Sequence, residues 1–211
     1  MTQSLLLHTA DGLSLEAEET VPAPTPVGTV VLCHPHPQHG GTMQSIIIST
    51  LFGALPDAGF TALRFNYRGV GTSEGTYADG LGEQLDLQAA VDAAQLRFDN
   101  GAPLAIVGWS FGADVALAQA DARAGAVVAI APPLRDLSRF EARTHDPRPK
   151  LVVLAGSDEV IDNAVAERVA PTWPNTTVEV VPGASHYFIG RTQRVVDLVL
   201  AFLQTHASAL M

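Results

Sequence analysis

Short apolar runs and longer segments with helical spacing alternate along this chain. The short runs are rich in valine, leucine and isoleucine, which is typical of strands that are buried on both faces of a sheet. They lie at residues 29–33, 60–65, 104–107, 126–131, 151–155 and 177–181. Predicted helices lie between or after them, at residues 41–54, 82–97, 113–122, 163–170 and 191–205. The alternation predicts an α/β fold with a mostly parallel central sheet and helices on both faces.

The first twenty residues have a different pattern. Residues 4–8 and 13–19 flank Asp11 and Gly12, a pair that favours a turn between two strands. In the second run Leu15 alternates with polar residues, as in an antiparallel strand with one wet face. We therefore predict an N-terminal antiparallel hairpin at the edge of the sheet. A chain of this length is expected to form one domain over residues 1–211.

A G-x-S-x-G pattern at residues 108–112 joins a predicted strand to a predicted helix. In that context the pattern is typical of a sharp turn that holds the central hydroxyl above the sheet, here that of Ser110. The flanking glycines avoid collisions with the neighbouring strand and helix. Ser110 is thus a candidate nucleophile, and the N–H of Phe111 is a candidate donor to a developing oxyanion.

A second informative stretch, residues 34–43, follows the strand at residues 29–33 and contains three histidines. Proline has no N–H, so His36 is the only backbone donor between Pro35 and Pro37. We favour His36 as the second oxyanion donor, with its backbone stiffened by the two prolines. A metal site built from the three histidines is the alternative, but no acidic ligand lies near them in the sequence.

Ser110, Asp158 and His186 each follow a predicted strand, so all three should project at the carboxyl edge of a parallel sheet. Their order along the chain is that of a Ser-Asp-His catalytic triad on such a sheet. Glu159 and Asp162 compete with Asp158 for the acidic role. Asp158 is favoured because it comes first after the strand.

Residues 134–150 stand where larger hydrolases carry a lid, and they are too few for a large cap domain. Leu134, Leu137 and Phe140 are the candidates for the wall of an acyl pocket, which should be fairly open. In the predicted helix 82–97, Glu83 and Asp86 are expected on the solvated face, although Asp86 could pair with Arg68.

The chain resembles the small, lidless bacterial α/β-hydrolases, a group of predicted alpha/beta-superfamily hydrolases. The resemblance lies in four motifs: HPHP with GGTM at residues 34–43, RFNYRGVG at 64–71, GWSFG at 108–112 and GASHYF at 183–188. It implies the α/β-hydrolase fold without a large cap, and carboxylesterase-like activity on small acyl esters. It also implies Ser110 as nucleophile, His186 as base and Asp158 as the acidic partner.

Composition limits the remaining possibilities. A net charge of -10 argues against nucleic acid and anionic membrane surfaces as partners. The N-terminal residues lack the basic start of a signal peptide, and the single cysteine, Cys33, forms no internal disulfide, so a cytoplasmic location is expected. The oligomeric state is open, a homodimer included.

The sequence thus predicts a serine hydrolase that cleaves short-chain carboxylic esters through an acyl-enzyme, with no metal or organic cofactor and a small acyl ester as its small-molecule partner. A thioesterase or amidase with the same triad remains an alternative, because the triad serves all acyl transfers. A non-catalytic binding module with this fold and a metal-dependent hydrolase are the others.

Overall fold

An eight-stranded sheet runs through the protein, seen here in a computed structural model that describes residues 2–23, 25–97, 103–119, 121 and 123–207. The strands are β1 Thr2–His8, β2 Ser14–Thr20, β3 Gly28–Cys33, β4 Phe60–Phe65, β5 Leu104–Trp109, β6 Ala124–Ile130, β7 Lys150–Ala155 and β8 Thr176–Val181. Their order in the sheet is β1-β2-β4-β3-β5-β6-β7-β8. β2 pairs antiparallel with both β1 and β4, and all other pairs are parallel. The predicted mostly parallel sheet with an N-terminal antiparallel hairpin is confirmed, and only β1 of the hairpin is an edge strand.

Helices cover both faces of this sheet, as predicted. They are α1 Ile46–Ala54, α2 Gly82–Arg97, α3 Phe111–Ala118, α4 Ala164–Val169 and α5 Thr192–Ala207. α1 begins five residues later than the predicted start at residue 41. The backbone at Gly41 lies so close to the loop before it that a Cβ there would be 2.1 Å from the carbonyl oxygen of Pro35. Residues 41–45 therefore belong to the loop.

Adjacent residues of each parallel strand face opposite sides of the sheet and enter two separate apolar cores. Val31 and Ile106 point into the core beneath α2, α3 and α4. Val30 and Val107 point into the core beneath α1 and α5. Because both faces are covered, the strands read as continuous apolar runs, the pattern from which they were predicted.

The prediction that Glu83 and Asp86 lie on the solvated face of α2 is wrong. Both are fully buried. Asp86 accepts hydrogen bonds from the backbone N–H and the guanidinium of Arg68, at 2.7–3.2 Å, so the alternative pairing is the correct one. Glu83 accepts the N–H groups of Ala78 and Gly80 at 2.9 and 2.8 Å and thereby fixes the loop before the helix.

The connection between β6 and β7 is short, and a 3-10 helix, Leu137–Thr144, is its regular element. The chain is described without a gap through this connection, and it carries no cap domain. None of the helices in the described part of the chain combines the length and the apolar character needed to cross a membrane.

Candidate active site

Ser110 occupies a strained turn between β5 and α3. Its backbone has φ 55° and ψ -121°, a conformation that non-glycine residues rarely adopt. Gly108 and Gly112 make the turn sterically feasible. A Cβ on Gly108 would lie 2.1 Å from the carbonyl oxygen of Gly112, and one on Gly112 would lie 2.3 Å from that of Cys33 at the end of β3. The predicted reason for the two glycines is confirmed.

Ser110, His186 and Asp158 meet at the carboxyl edge of the sheet in one chain of hydrogen bonds. The hydroxyl of Ser110 is 3.0 Å from Nε2 of His186. Nδ1 of the same ring is 2.9 Å from Oδ2 of Asp158. Because a carboxylate can only accept, Nδ1 carries the proton and Nε2 is free to accept from the serine. Ser110 follows β5, Asp158 follows β7 and His186 follows β8, and these strands lie within the run β5-β6-β7-β8 of the sheet.

The three candidate acids, Asp158, Glu159 and Asp162, differ in their contacts with His186. The Asp158 side chain is fully buried, and its Oδ1 accepts the N–H groups of Val160 and Ile161 at 2.9 and 2.8 Å. Glu159 reaches the backbone of His186, whose N–H it accepts at 3.1 Å, and not its ring. Asp162 accepts the N–H of Ala164 at the start of α4. Of the three acids that the sequence offers, only Asp158 holds the imidazole.

The two candidate oxyanion donors flank Ser110. Phe111 is the first residue of α3, where N–H groups have no carbonyl partner within the helix. The rings of Phe111 and His36 are 5.1 Å apart, so the loop after β3 is packed against the start of α3. The hydrogen bonds of His36 to described residues use its carbonyl oxygen and its ring, and none uses its N–H. The N–H of His36 is therefore not used by any hydrogen bond within the described residues.

His34 serves the backbone and not a metal. Its Nδ1 is 2.6 Å from the carbonyl oxygen of Pro35, and its Nε2 accepts the N–H of Tyr67 at 3.1 Å, so both ring nitrogens are engaged. Burial lowers the pKa of this imidazole to about 4, which keeps the ring neutral. Within the described ranges, no three histidine, cysteine, aspartate or glutamate side chains are grouped so as to hold a metal ion.

A cleft of about 670 Å³ opens above Ser110 and His186. Of the three side chains predicted to line an acyl pocket, Phe140 lies in its wall, whereas Leu134 and Leu137 do not. Leu134 is 1% exposed and packs into the core beneath α3, and Leu137 is 41% exposed. The described residues that take their place in the wall include Pro133, Arg135, Asp136 and Arg139.

Sequence reasoning also missed Asp114, a half-buried acid in the cleft wall one helical turn after Ser110. Its Oδ1 accepts the N–H of Leu134 at 3.1 Å. Burial raises the pKa of this carboxyl to about 7, against the opposing effects of that hydrogen bond and of the charges of Arg135 and Arg139. Its spacing of four residues from Ser110 along α3 is the one sequence signal from which Asp114 could have been found.

Asp114 should make the stability of the protein depend on pH. In the folded state its carboxyl keeps its proton up to about pH 7, but in the unfolded chain it loses the proton near the ordinary pKa of 3.8. The free energy of unfolding should therefore fall as pH rises through this interval, by on the order of 2–4 kcal/mol from this group. Asp114→Asn removes the titration, so urea denaturation should show the variant gaining on the wild type between pH 4 and pH 8. A difference that does not change with pH would contradict this expectation.

The mostly parallel sheet, the strained serine turn and the open cleft define an α/β hydrolase. Residues 24–145 match the family model Hydrolase_4, described as serine aminopeptidase, S33. The chain belongs to this family of α/β hydrolases.

Individual relatives agree with this assignment. The chain is 30% identical over 185 residues to the uncharacterized protein RP471 of Rickettsia prowazekii, a match that covers 83% of this chain and 78% of that protein. The structure of XC6422 from Xanthomonas campestris, described as a serine hydrolase without a lid, is 28% identical with a TM-score of 0.87, over 97% of this chain and 94% of that one. An alpha-beta serine hydrolase homologue from Coxiella burnetii is 33% identical with a TM-score of 0.85, over 95% and 97% of the two chains.

Proposed function

We propose that the protein is a serine hydrolase that cleaves carboxylic esters of small acyl groups through a covalent acyl-enzyme. One observation carries the proposal: the Ser110 hydroxyl, the His186 ring and the Asp158 carboxylate are joined by hydrogen bonds of 3.0 and 2.9 Å at the floor of an open cleft. A serine hydroxyl is a weak nucleophile until a neighbouring base takes its proton. The arrangement supplies that base and fixes its orientation.

In the first half of the proposed reaction, Oγ of Ser110 attacks the carbonyl carbon of the ester while Nε2 of His186 takes the hydroxyl proton. Asp158 holds the ring through Nδ1–H and stabilises the imidazolium that forms. The N–H groups of Phe111 and His36 bind the negative oxygen of the tetrahedral intermediate. His186 then gives its proton to the departing alcohol, and the acyl group remains on Ser110.

In the second half, His186 takes a proton from a water molecule, which attacks the acyl carbon. Collapse of the second tetrahedral intermediate breaks the bond to Oγ, and the proton returns from His186 to Ser110. The carboxylic acid leaves the cleft. Both halves use the same oxyanion donors and the same base, so no further group is required.

Labelling with a fluorophosphonate tests the proposal, because this reagent reacts with an activated serine. We expect intact-protein mass measurement to show one adduct on the wild type, no adduct on Ser110→Ala, and no effect of a chelator. A panel of an ester, a thioester and an anilide with one shared acyl group would then rank the three acyl chemistries. An unlabelled wild type would overturn the proposal.

The open cleft leads us to expect higher kcat/KM for short acyl chains than for long ones. An acyl chain longer than the cleft would leave apolar surface in water. The connection between β6 and β7 carries no cap domain that could bury this surface. p-Nitrophenyl esters from acetate to laurate, measured below their solubility limits, would show the trend. A maximum at the long end of the series would contradict it.

A further inference from the structure

Arg135 is a cation in the wall of the cleft that has no direct partner among the described residues. Its side chain is exposed and lines the same cleft as Ser110. It forms no hydrogen bond or ion pair with any of the described residues, in contrast to Arg139 nearby. Arg139 donates to the carbonyl oxygen of Asp79 at 2.7 Å and lies 3.4 Å from the carboxylate of Asp136.

No acid of the cleft wall forms an ion pair with Arg135 in the described part of the chain. Asp136 accepts both the N–H and the hydroxyl of Ser138, at 3.1 and 2.6 Å, in addition to its contact with Arg139. Burial raises the pKa of the Tyr77 phenol to about 12, and the neighbouring carboxylate of Asp79 contributes to the rise.

Asp114 is the remaining acid, and it is held in the wall through the N–H of Leu134. Its raised pKa leaves it partly protonated at neutral pH. The positive charge of Arg135 is thus not cancelled by a direct partner in the described part of the chain.

Arg135 lines the cleft together with His36 of the loop after β3 and Phe111 at the start of α3. The surroundings of His186 are aromatic, with the ring of Tyr187 5.5 Å from that of His186 and 6.4 Å from that of Trp109.

His186 protonates the leaving alcohol in the proposed reaction, so we assign the alcohol to the surroundings of His186. We assign the acyl group to the part of the cleft that Phe111 and Arg135 line. A guanidinium prefers carboxylate oxygens, to which it donates two parallel hydrogen bonds.

From this arrangement we propose that Arg135 selects esters whose acyl group ends in a carboxylate, that is, monoesters of short dicarboxylic acids. The inference rests on the proposed function and narrows its substrate class. An apolar or aromatic alcohol would contact Trp109 and Tyr187, which line the same cleft.

The monoethyl ester of succinic acid and ethyl butyrate form a matched pair, with the same alcohol and the same number of acyl carbons. For the wild type we expect kcat/KM to be about tenfold higher for the charged ester. Arg135→Gln should remove most of this ratio, and Arg135→Lys should retain part of it, because lysine keeps the charge without the planar fork. Monoethyl malonate and monoethyl glutarate, with their neutral counterparts, would locate the preferred distance between ester and carboxylate.

Arg168→Gln is the control, because Arg168 is exposed on α4 outside the cleft and its removal changes net charge equally. It should leave both rates and their ratio unchanged. Equal rates on the two esters in the wild type, a ratio that survives Arg135→Gln, or an equal loss in Arg168→Gln would each overturn the inference. If fluorophosphonate labels Ser110 in the same samples, such a result leaves the proposed function standing. If the wild type neither takes the label nor cleaves either ester, the proposed function fails, and the inference fails with it.

Discussion

Ser110→Ala is expected to lower kcat about 10⁶-fold, the size of effect found when the nucleophile of such a hydrogen-bonded unit is removed. The loss is large because the alanine has no oxygen to form the acyl bond, and the base then has no proton to take from it. The oxyanion donors and the cleft remain, so a residual rate above that in water should persist. Steady-state hydrolysis of p-nitrophenyl acetate, with wild-type contamination excluded by active-site titration, measures the effect.

The control for this substitution is Ser157→Ala. Ser157 is exposed, lies directly before Asp158, and its hydroxyl takes part in no hydrogen bond with the described residues. Its loss should leave kcat within about threefold of the wild type. Retention of more than about one hundredth of the activity in Ser110→Ala would exclude the covalent mechanism. A further check is the double variant Ser110→Ala with His186→Ala, which should be no slower than either single variant, because the two residues act as one unit.

Asp158→Asn is expected to lower kcat about 10⁴-fold with little change in fold. An asparagine can present its NH₂ group to Nδ1 of His186, which would move the proton to Nε2 and leave the ring unable to accept from Ser110. The N–H groups of Val160 and Ile161 already point at Oδ1, so the amide oxygen is expected to face them and the amide nitrogen to face the ring.

Glu159→Gln is the matched comparison for Asp158→Asn, because it makes the same carboxylate-to-amide change one residue away. Its amide oxygen can still accept the backbone N–H of His186, so kcat should stay within about tenfold of the wild type. Circular dichroism and thermal unfolding of both variants would show that the fold is retained. A larger loss in Glu159→Gln than in Asp158→Asn would reverse the assignment of the two acids.

Much of the fold followed from the sequence because its signals are local. Both faces of the parallel strands are covered, so each strand is a continuous apolar run, and the glycines and prolines between the runs mark the connections. The candidate triad followed in the same way. Ser110, Asp158 and His186 each stand directly after a strand, and parallel topology alone brings such positions to one edge.

The features that sequence reasoning missed depend on contacts between distant segments. The pattern of α2 predicted that Glu83 and Asp86 face water. Both are buried, because Asp86 binds Arg68 and Glu83 accepts N–H groups of the loop before the helix. Leu134 turned into the core because its backbone adopts φ 48°, with its N–H bound to Asp114. No local pattern in residues 134–150 encodes the turn at Leu134, and none in residues 82–97 encodes the burial of the two acids.

The burial of Cys33 bears on how inhibitors of this protein should be interpreted. Cys33 is the last residue of β3 and has no exposed surface, and its carbonyl group packs against Gly112. Burial raises the pKa of its thiol to about 12. The thiolate that alkylating agents and mild oxidants attack is therefore essentially absent at neutral pH. Because the chain has no other cysteine, inactivation by iodoacetamide or a maleimide would report modification of another residue type or unfolding, and not a sulfur nucleophile. The same property makes the native chain a clean background for attaching a spectroscopic probe to a single cysteine introduced at the cleft rim.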